Sequence, residues 1–290
     1  MRFWKTSAIG NMFVLVHEDE GQNSDWNELA RRVSNPRTGI GSDGLLVMNG
    51  RNLRMFNPDG SEDFCGNGLR CAAVHGFEQG WLEREDTITH FNRPVRTWIT
   101  GESEAMVELQ AATFEPIKVP VLSEKEVFMQ EWHDAGEELV LSALSTGSTH
   151  VVIMGPGPDD QEFLSVSKAL EVDPRFPDRT STMWVTVQGP RDLKMRPYER
   201  GAGETRGCGT GSAAAAVVHS RLTGTTGQIN VHNTGGTVSV HLEDLQGPIR
   251  LASKVELHFT GVLESEMVPT LVGGVVRMPQ DALGSIQELG

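Results

Sequence analysis

The chain carries one short motif twice, and this duplication limits its fold more than any other feature. The first copy, "DFCGNGLRCAAVH", contains Cys65, and the second, "RGCGTGSAAAAVV", contains Cys208. In both copies Cys-Gly-X-Gly leads into small and apolar residues, which predicts a helix that is buried on all sides. Strand-like runs surround each predicted helix. We therefore predict an internal repeat at domain scale, in which several strands surround one central helix in each half.

A chain of 290 residues is longer than a usual single-core domain, which favours two domains. Two prolines interrupt the strand pattern in "FEPIKVPVLSE", so we place the boundary in this segment. The predicted domains are residues 1–118 and 119–262, and part of the segment 263–290 is expected to return to the first domain.

Local patterns predict the other elements. The segment "SDWNELARRV" predicts a helix capped by Ser24, and "DDQEFLSVSKALE" predicts a second peripheral helix. The segment "INVHNTGGTVSVHL" predicts a hairpin that turns at residues 233–236. Further strands are predicted in "MFVLVHE", "GLLVMN", "LRMFN", "MVELQ", "ELVLSAL", "THVVIM", "MWVTV" and "LKMRPY".

The charge and cysteine content exclude several classes of function. The formal net charge is −14 and no cluster of Lys and Arg occurs, so we expect no nucleic-acid partner. No apolar run approaches the roughly 20 residues that span a bilayer, and the N-terminus does not resemble a secretory signal. We therefore expect a cytoplasmic protein without a membrane partner. The three cysteines form no Cys-X-X-Cys pair, so neither a metal site nor a disulfide framework is predicted.

The position of two cysteines at helix starts points to acid–base chemistry. A helix N-terminus has unpaired N–H groups and the positive end of the helix dipole, so we expect a lowered thiol pKa there. The same N–H groups, next to glycines that let a ligand approach, can bind a carboxylate. Cys71, by contrast, lies inside the first predicted helix and is interpreted as a core residue.

Two such helix starts facing one pocket would place Cys65 and Cys208 on opposite sides of the Cα of a bound amino acid. One sulfur then removes the Cα proton while the other supplies a proton to the opposite face. The preformed N–H donors stabilise the charge that develops on the carboxylate. The arrangement predicts a two-base racemase or epimerase that needs no cofactor.

Four segments of the chain resemble the diaminopimelate epimerase family. They are "GNMF" near the start, "GIGSDGLL" at 39–46, "FNPDGSEDFCGNGLRC" at 56–71 and "ERGAGETRGCGTGSAAAA" at 199–216. The resemblance extends from residue 1 to about residue 262. It implies an α/β (α+β) fold of two pseudo-symmetric domains, each a curved, mostly antiparallel sheet around a central helix, with the active site in the cleft between them. It also implies cofactor-independent interconversion of LL- and meso-diaminopimelate, a step of lysine and peptidoglycan precursor synthesis.

The resemblance implies a role for each matched residue. Cys65 and Cys208 would be the acid–base pair, and His150 would support the first of these thiols. Glu199 would bind the substrate ammonium and Arg200 the distal carboxylate. The other substrate-binding residues would be Asn11, Asn57, Asn67, Gly68, Ser148, Ser181, Gly209 and Thr210, of which Asn67, Gly68, Gly209 and Thr210 would bind the reacting carboxylate.

Two of these positions depart from the family pattern, because Ser148 and Ser181 stand where the family has asparagine. A serine cannot offer both an amide donor and a carbonyl acceptor to the distal end of the substrate. This leaves open a racemase or epimerase of the same fold that acts on a different amino acid, and also a non-catalytic amino-acid-binding relative. A small-molecule amino acid is the expected partner, and a homodimer is one assembly that the sequence permits.

Overall fold

The computed structural model describes residues 1–21, 23–134, 137–272 and 275–276. In these residues, sixteen strands join one mixed sheet, and two short strands pair separately. The strands are β1 (Arg2–Ala8), β2 (Asn11–His17), β3 (Gly44–Asn49), β4 (Asn52–Phe56), β5 (Glu85–His90), β6 (Arg93–Gly101), β7 (Glu104–Leu109), β8 (Gln130–Asp134), β9 (Glu137–Ser145), β10 (Thr149–Met154), β11 (Ser181–Gly189), β12 (Asp192–Glu199), β13 (Gly203–Glu204), β14 (Gly227–Asn233), β15 (Gly236–Leu242), β16 (Ile249–Val262), β17 (Leu271–Val272) and β18 (Val275–Val276). The helices are α1 (Trp26–Ser34), α2 (Gly66–Glu78), α3 (Asp160–Glu171) and α4 (Gly209–Thr223), with short 3-10 turns at Glu18–Gly21 and Ser265–Met267.

The first seven strands form a closed ring with the long strand β16. Neighbouring strands pair in the order β1 to β7, β7 pairs with β16, and β16 pairs with β1. Helix α2 lies inside this ring and contacts all eight strands. Its residues from Asn67 to Gly76 are buried, as expected for a helix without a polar face.

The second half continues the same sheet around α4. From β16 the strands follow in the order β15, β14, β12, β11, β10, β9 and β8. Helix α4 packs on β9 to β12 and on β14 to β16. The four alanines from Ala213 to Ala216 are fully buried, and their small side chains allow the strands to approach the helix closely.

The order of parallel and antiparallel pairs is the same in the two halves. Within the described residues, β2–β3 and β4–β5 are the parallel pairs of the first half, and β10–β11 and β12–β14 are those of the second. Helices α1 and α2 connect the first two pairs, and α3 and α4 connect the second two. The predicted repeat and the mostly antiparallel α/β fold are therefore confirmed.

The start of α1 differs from the prediction. Its N-cap is Asp25, whose carboxylate accepts a hydrogen bond from the Glu28 N–H at 3.1 Å. The predicted cap, Ser24, instead forms an isolated antiparallel bridge with Thr270. Aspartate and serine cap helices about equally well, so the residue types alone did not distinguish the two positions.

The segment after β16 returns to the first half of the chain. The Leu263 N–H donates to the Met1 carbonyl, and the Asp25 N–H donates to the Pro269 carbonyl, both at 2.8 Å. Leu263 is buried in the cluster that contains Trp26. Residues 277–290 lie outside the described residues, and the predicted limits of the two domains stay a prediction. No helix of the described residues is long and apolar enough to cross a membrane.

Candidate active site

The duplicated topology brings the predicted site residues to corresponding strand ends. Because β2 and β3 are parallel and β4 is antiparallel to β3, the starts of β2 and β3 lie at the same edge as the end of β4. Asn11 is the first residue of β2, and Asn57 follows β4. In the second half His150 lies at the start of β10, Ser181 at the start of β11 and Glu199 at the end of β12. The central helices begin after β4 and β12, so each cysteine is close to one of these edges.

One cavity of about 590 Å³ collects these residues, and both Cys65 and Cys208 line it. Gly68 is the one predicted site residue that is absent from its lining; it is buried, and its N–H donates to Cys65 Sγ at 3.4 Å. The predicted residues that line the cavity are Asn11, Asn57, Cys65, Asn67, Ser148, His150, Ser181, Glu199, Arg200, Cys208, Gly209 and Thr210.

Cys65 is the N-cap of α2, and its backbone is extended, with φ −138° and ψ 109°. Its N–H donates to His90 Nε2 at 2.9 Å, while His90 Nδ1 lies 3.1 Å from the Leu53 carbonyl. Since a carbonyl only accepts, Nδ1 carries the proton and Nε2 is free to accept. His90 is fully buried at the end of β5 and orients the Cys65 backbone, a contact that the sequence analysis missed.

Cys208 is the N-cap of α4 and has the same local geometry. Its Sγ accepts a hydrogen bond from the Gly211 N–H at 3.3 Å, as Cys65 Sγ does from the Gly68 N–H. Its own N–H donates to Asn233 Oδ1 at 3.4 Å. Asn233 lies at the end of β14, which follows α4 as β5 follows α2. The two cysteines thus occupy equivalent places in the two halves.

Burial outweighs the helix effect on both thiols. It raises the pKa of Cys65 to about 11, although the N–H groups of Gly68 and Asn67 and the charge of Arg70 act in the opposite direction. Burial and the nearby Glu199 carboxylate raise the pKa of Cys208 well above its ordinary value. The predicted lowering of these pKa values is therefore wrong. The free-energy cost of removing a thiolate from water exceeds the stabilisation that the helix N-termini provide.

His150 is buried and is connected to Cys208 through the hydroxyl groups of Ser148 and Thr210. Its Nε2 lies 2.9 Å from Ser148 Oγ, which donates to Thr210 Oγ1 at 3.5 Å. Thr210 Oγ1 lies 3.5 Å from Cys208 Sγ. Burial lowers the pKa of His150 to about 3, so the imidazole is neutral, and its buried Nδ1 has no hydrogen-bond partner among the residues that the structure describes. Through these contacts His150 is linked to Cys208, whereas the family resemblance implied support for Cys65.

Glu199 and Arg200 lie at the end of β12. The Glu199 carboxylate accepts a hydrogen bond from Thr205 Oγ1 and is within hydrogen-bonding range of the Cys208 thiol. Burial raises the pKa of Glu199. The Arg200 guanidinium is exposed and donates to the Asp178 carbonyl at 2.5 Å.

The asparagines of the first half connect to one another and to the neighbouring loop. Asn67 Nδ2 donates to Asn11 Oδ1 at 3.3 Å. Asn57 Nδ2 donates to Ser61 Oγ at 3.0 Å, within the loop that leads to Cys65.

Several charged residues line the cavity that the sequence analysis did not name. Asp43 lies in "GIGSDGLL" and Asp63 in "FNPDGSEDFCGNGLRC", two segments that carry the family resemblance, whereas no family motif contains Asp178 or Lys118. The walls carry carboxylates and cations together, which suits a ligand with both ammonium and carboxylate groups. The charged lining residues are Asp43, Asp63, Asp178, Glu199, Lys118 and Arg200. In the described residues, no group of three or more His, Cys, Asp or Glu side chains is arranged to hold a metal ion.

Comparison with known proteins decides the family. The model of the family described as diaminopimelate epimerase matches residues 3–93 and 142–254. The chain belongs to the diaminopimelate epimerase family. A diaminopimelate epimerase of Desulforudis audaxviator is 35% identical over 276 residues, covering 90% of this chain and 98% of that protein. One of Caldanaerobacter subterraneus is 33% identical and covers 91% of this chain and 100% of that protein. The predictions of the family and of an isomerase are confirmed.

Solved structures share the fold of this epimerase-family chain. A phenazine biosynthesis protein of the PhzF family from Bacillus anthracis superposes with a TM-score of 0.64, covering 91% of this chain and 99% of that one, at 17% identity. A probable proline racemase from Agrobacterium radiobacter gives a TM-score of 0.59, covering 91% of this chain and 93% of that one, at 13% identity. At this level of identity the likeness concerns the fold alone.

Proposed function

We propose that the protein is a cofactor-independent two-base epimerase that interconverts LL- and meso-diaminopimelate through Cys65 and Cys208. Its place would be cytoplasmic lysine and peptidoglycan precursor synthesis. The observation that carries the proposal is that the two cysteines, each the N-cap of a central helix, line the same cavity. The family of the chain and the names of its relatives support the choice of substrate.

The reaction needs a base and an acid on opposite faces of one Cα. The thiolate of one cysteine takes the Cα proton, and the electron pair of the broken C–H bond delocalises into the carboxylate. The thiol of the other cysteine donates its proton to the opposite face, so the configuration inverts and the negative charge ends on the second sulfur. The reverse reaction uses the same groups with exchanged roles.

The first turns of α2 and α4 are suited to bind the reacting carboxylate. The first N–H groups of a helix have no acceptor within the helix, and Asn67, Gly209 and Thr210 line the cavity. These donors gain strength as charge develops on the carboxylate. A Cβ at Gly209 would lie 3.0 Å from Asn67 Oδ1, so glycine allows the two helix starts to approach each other.

One thiol must lose its proton before it can act as a base, because both pKa values are raised. Glu199, beside Cys208, is one acceptor for this proton. Neutral His150 instead helps to hold Thr210 beside Cys208 through Ser148. These contacts give Glu199 and His150 a role at Cys208, whereas the family resemblance implied that Glu199 binds the substrate ammonium and that His150 supports Cys65.

Incubation in deuterium oxide tests reaction and substrate together. We expect LL-diaminopimelate to exchange its α-hydrogen and to form the meso isomer, as followed by mass spectrometry and chiral chromatography. A panel of other amino acids serves as the control for specificity. Saturable binding of diaminopimelate without loss of the α-hydrogen would overturn the enzymatic proposal in favour of a binding protein.

Substitution of each cysteine tests the two-base assignment. We expect Cys65→Ser and Cys208→Ser each to lower kcat by at least about 10³-fold, since a hydroxyl is a far weaker acid and base than a thiol at neutral pH. Cys71→Ala is the matched control, because Cys71 is buried in the core away from the cavity lining and should keep near-normal turnover. Circular dichroism checks that each variant is folded. Normal turnover of either serine variant would contradict the assignment.

A second candidate is an epimerase of the same fold that acts on another amino acid. Ser148 and Ser181 replace family asparagines, and both hydroxyls are engaged within the chain, Ser148 with His150 and Ser181 with the Arg200 N–H at 3.1 Å. The distal end of the cavity therefore offers diaminopimelate fewer free amide groups. In the same panel, exchange of another amino acid but not of diaminopimelate would support this candidate.

A further inference from the structure

Arg70 is a buried charge that the proposed reaction does not use directly. It lies on α2, five residues after Cys65, and is the largest fully buried side chain of the described residues. No salt bridge to Arg70 occurs among the residues that the structure describes. Burying a charge without an opposite charge is costly, so a chain that retains one gains something from it elsewhere.

The Arg70 guanidinium joins the first turns of both central helices. Nη2 donates to Asn67 Oδ1 at 2.5 Å, and Nε donates to Ser253 Oγ on β16 at 2.7 Å. On the other side it packs against Gly209, where an added Cβ would lie 3.3 Å from Nη2 and 3.5 Å from Nη1. Asn67 and Gly209 line the cavity, so the guanidinium lies directly behind its wall.

The charge of Arg70 acts on both cysteines. Arg70 interacts electrostatically with its buried neighbour Cys71 first, and also with Cys65 and Cys208, and it opposes the effect of burial on the pKa of Cys65. Burial lowers the pKa of Arg70 to about 10, so the guanidinium stays charged at neutral pH. Glu199 acts in the opposite sense, since its carboxylate disfavours a thiolate at either cysteine. Within the described part of the chain, the buried Nη1 atom has no hydrogen-bond partner.

We propose that Arg70 is a positioning residue whose single buried charge is shared by the two cysteines and stabilises whichever of them is the thiolate, while its hydrogen bond fixes the Asn67 carboxamide. This inference rests on the proposed two-cysteine function. In that reaction the negative charge moves from one sulfur to the other in every turnover. A cation between the two helix starts stabilises both end states, whereas a cation beside one cysteine would stabilise the thiolate at that cysteine alone.

The test measures the thiols directly. Wild type, Arg70→Met and Arg70→Lys are alkylated with iodoacetamide between pH 6 and pH 10, and the rate at Cys65 and at Cys208 is followed separately by peptide mass spectrometry. We expect Arg70→Met to lower both rates at neutral pH by about tenfold, as a thiol pKa one unit higher would. Arg70→Lys keeps the charge and should recover most of this loss. Arg37→Met, which removes an exposed charge outside the cavity lining, is the matched control and should react like wild type.

The α-hydrogen exchange assay gives the second readout. We expect kcat/KM of Arg70→Met to fall about tenfold or more at pH 7 and to recover toward high pH, where the thiolate forms without the cation. Unchanged alkylation at both cysteines in a folded Arg70→Met protein would overturn the role of Arg70. A change at Cys65 alone would overturn the shared role. Absence of exchange in wild type would count against the proposed function only, since the alkylation rates do not depend on turnover.

Discussion

At the scale of single residues, the first ring contains a buried pair of histidines in an aromatic cluster. His17 Nε2 and His75 Nε2 lie 2.8 Å apart, so one of these nitrogens donates and the other accepts. Trp4 stacks on His17 with ring centroids 4.4 Å apart. Burial lowers the pKa of His75 to about 4 and also lowers that of His17. This contact is compatible with neutral rings. If both rings were protonated, two N–H donors would point at each other and two positive charges would be adjacent.

We expect the His17–His75 pair to destabilise the fold in acid. His75 binds a proton near pH 6.5 in the unfolded chain but only near pH 4 in the folded chain. Its contribution to stability is therefore complete above pH 6.5 and is lost as the pH falls toward 4. The shift corresponds to roughly 3 kcal/mol in the free energy of unfolding. Urea unfolding followed by tryptophan fluorescence at pH 7.5, 6 and 5 measures it. His75→Gln should weaken the dependence on pH, and an equal loss in wild type and variant would show that the pair is not its source.

At the scale of elements, the two helix starts are built in the same way. Gly68 and Gly211 each lie three residues after a cysteine, and each packs on the third residue of a strand. A Cβ at Gly68 would lie 2.8 Å from Leu46 Cδ2, and a Cβ at Gly211 would lie 2.4 Å from Met183 Sδ. Glycine at these positions therefore sets the distance between each central helix and its sheet.

We expect Gly211→Ala to lower the free energy of unfolding by about 1–3 kcal/mol, the usual cost of overpacking a core. The side chain of Met183 is flexible and will yield in part, which keeps the effect within this range. Gly66→Ala is the matched control, because a Cβ there meets no atom within 4 Å. Chemical denaturation of both variants measures the difference. Equal stability of the two variants would contradict the packing argument.

The sequence predicted the elements whose patterns are local. The eight strand runs overlap β2, β3, β4, β7, β9, β10, β11 and β12, and the hairpin turns where Asn233 pairs with Gly236. The strands β1, β5, β6, β8, β13, β16, β17 and β18 were not predicted. Strand β16 in particular takes its place from pairing with β1, β7 and β15, and no local pattern encodes such partners.

The candidate site was predictable where a residue lies next to a helix start or in a family motif. The sequence could not give the pKa values of Cys65 and Cys208, since burial is a property of the whole fold. It also missed His90, because the parallel pairing of β5 with β4 is what brings this residue to Cys65. The same holds for Arg70, whose neighbour Gly209 is distant in sequence.

At the scale of the whole molecule, β16 belongs to both halves. Residues 249–254 pair with β7, residues 255–262 pair with β1 apart from one bulge, and Ile249 to Ala252 also pair with β15. The ring around α2 is therefore closed by a strand that follows the entire second half in the sequence. The predicted boundary near residue 118 separates the two central helices but leaves this ring without its last strand.

We expect a fragment of residues 1–118 not to fold alone, because β1 and β7 would both be unpaired edges and α2 would be exposed between them. A fusion that joins Leu109 to Ile249 through a short loop and ends at residue 270 restores the strand, since these two residues face each other in the antiparallel pair of β7 and β16. Circular dichroism and thermal unfolding distinguish the two. A cooperative transition in the fusion and none in the fragment is the expected result, because only the fusion can pair β7 and β1 with the same strand. A cooperative transition in the fragment itself would mean that seven strands suffice and that β16 joins a first half already folded.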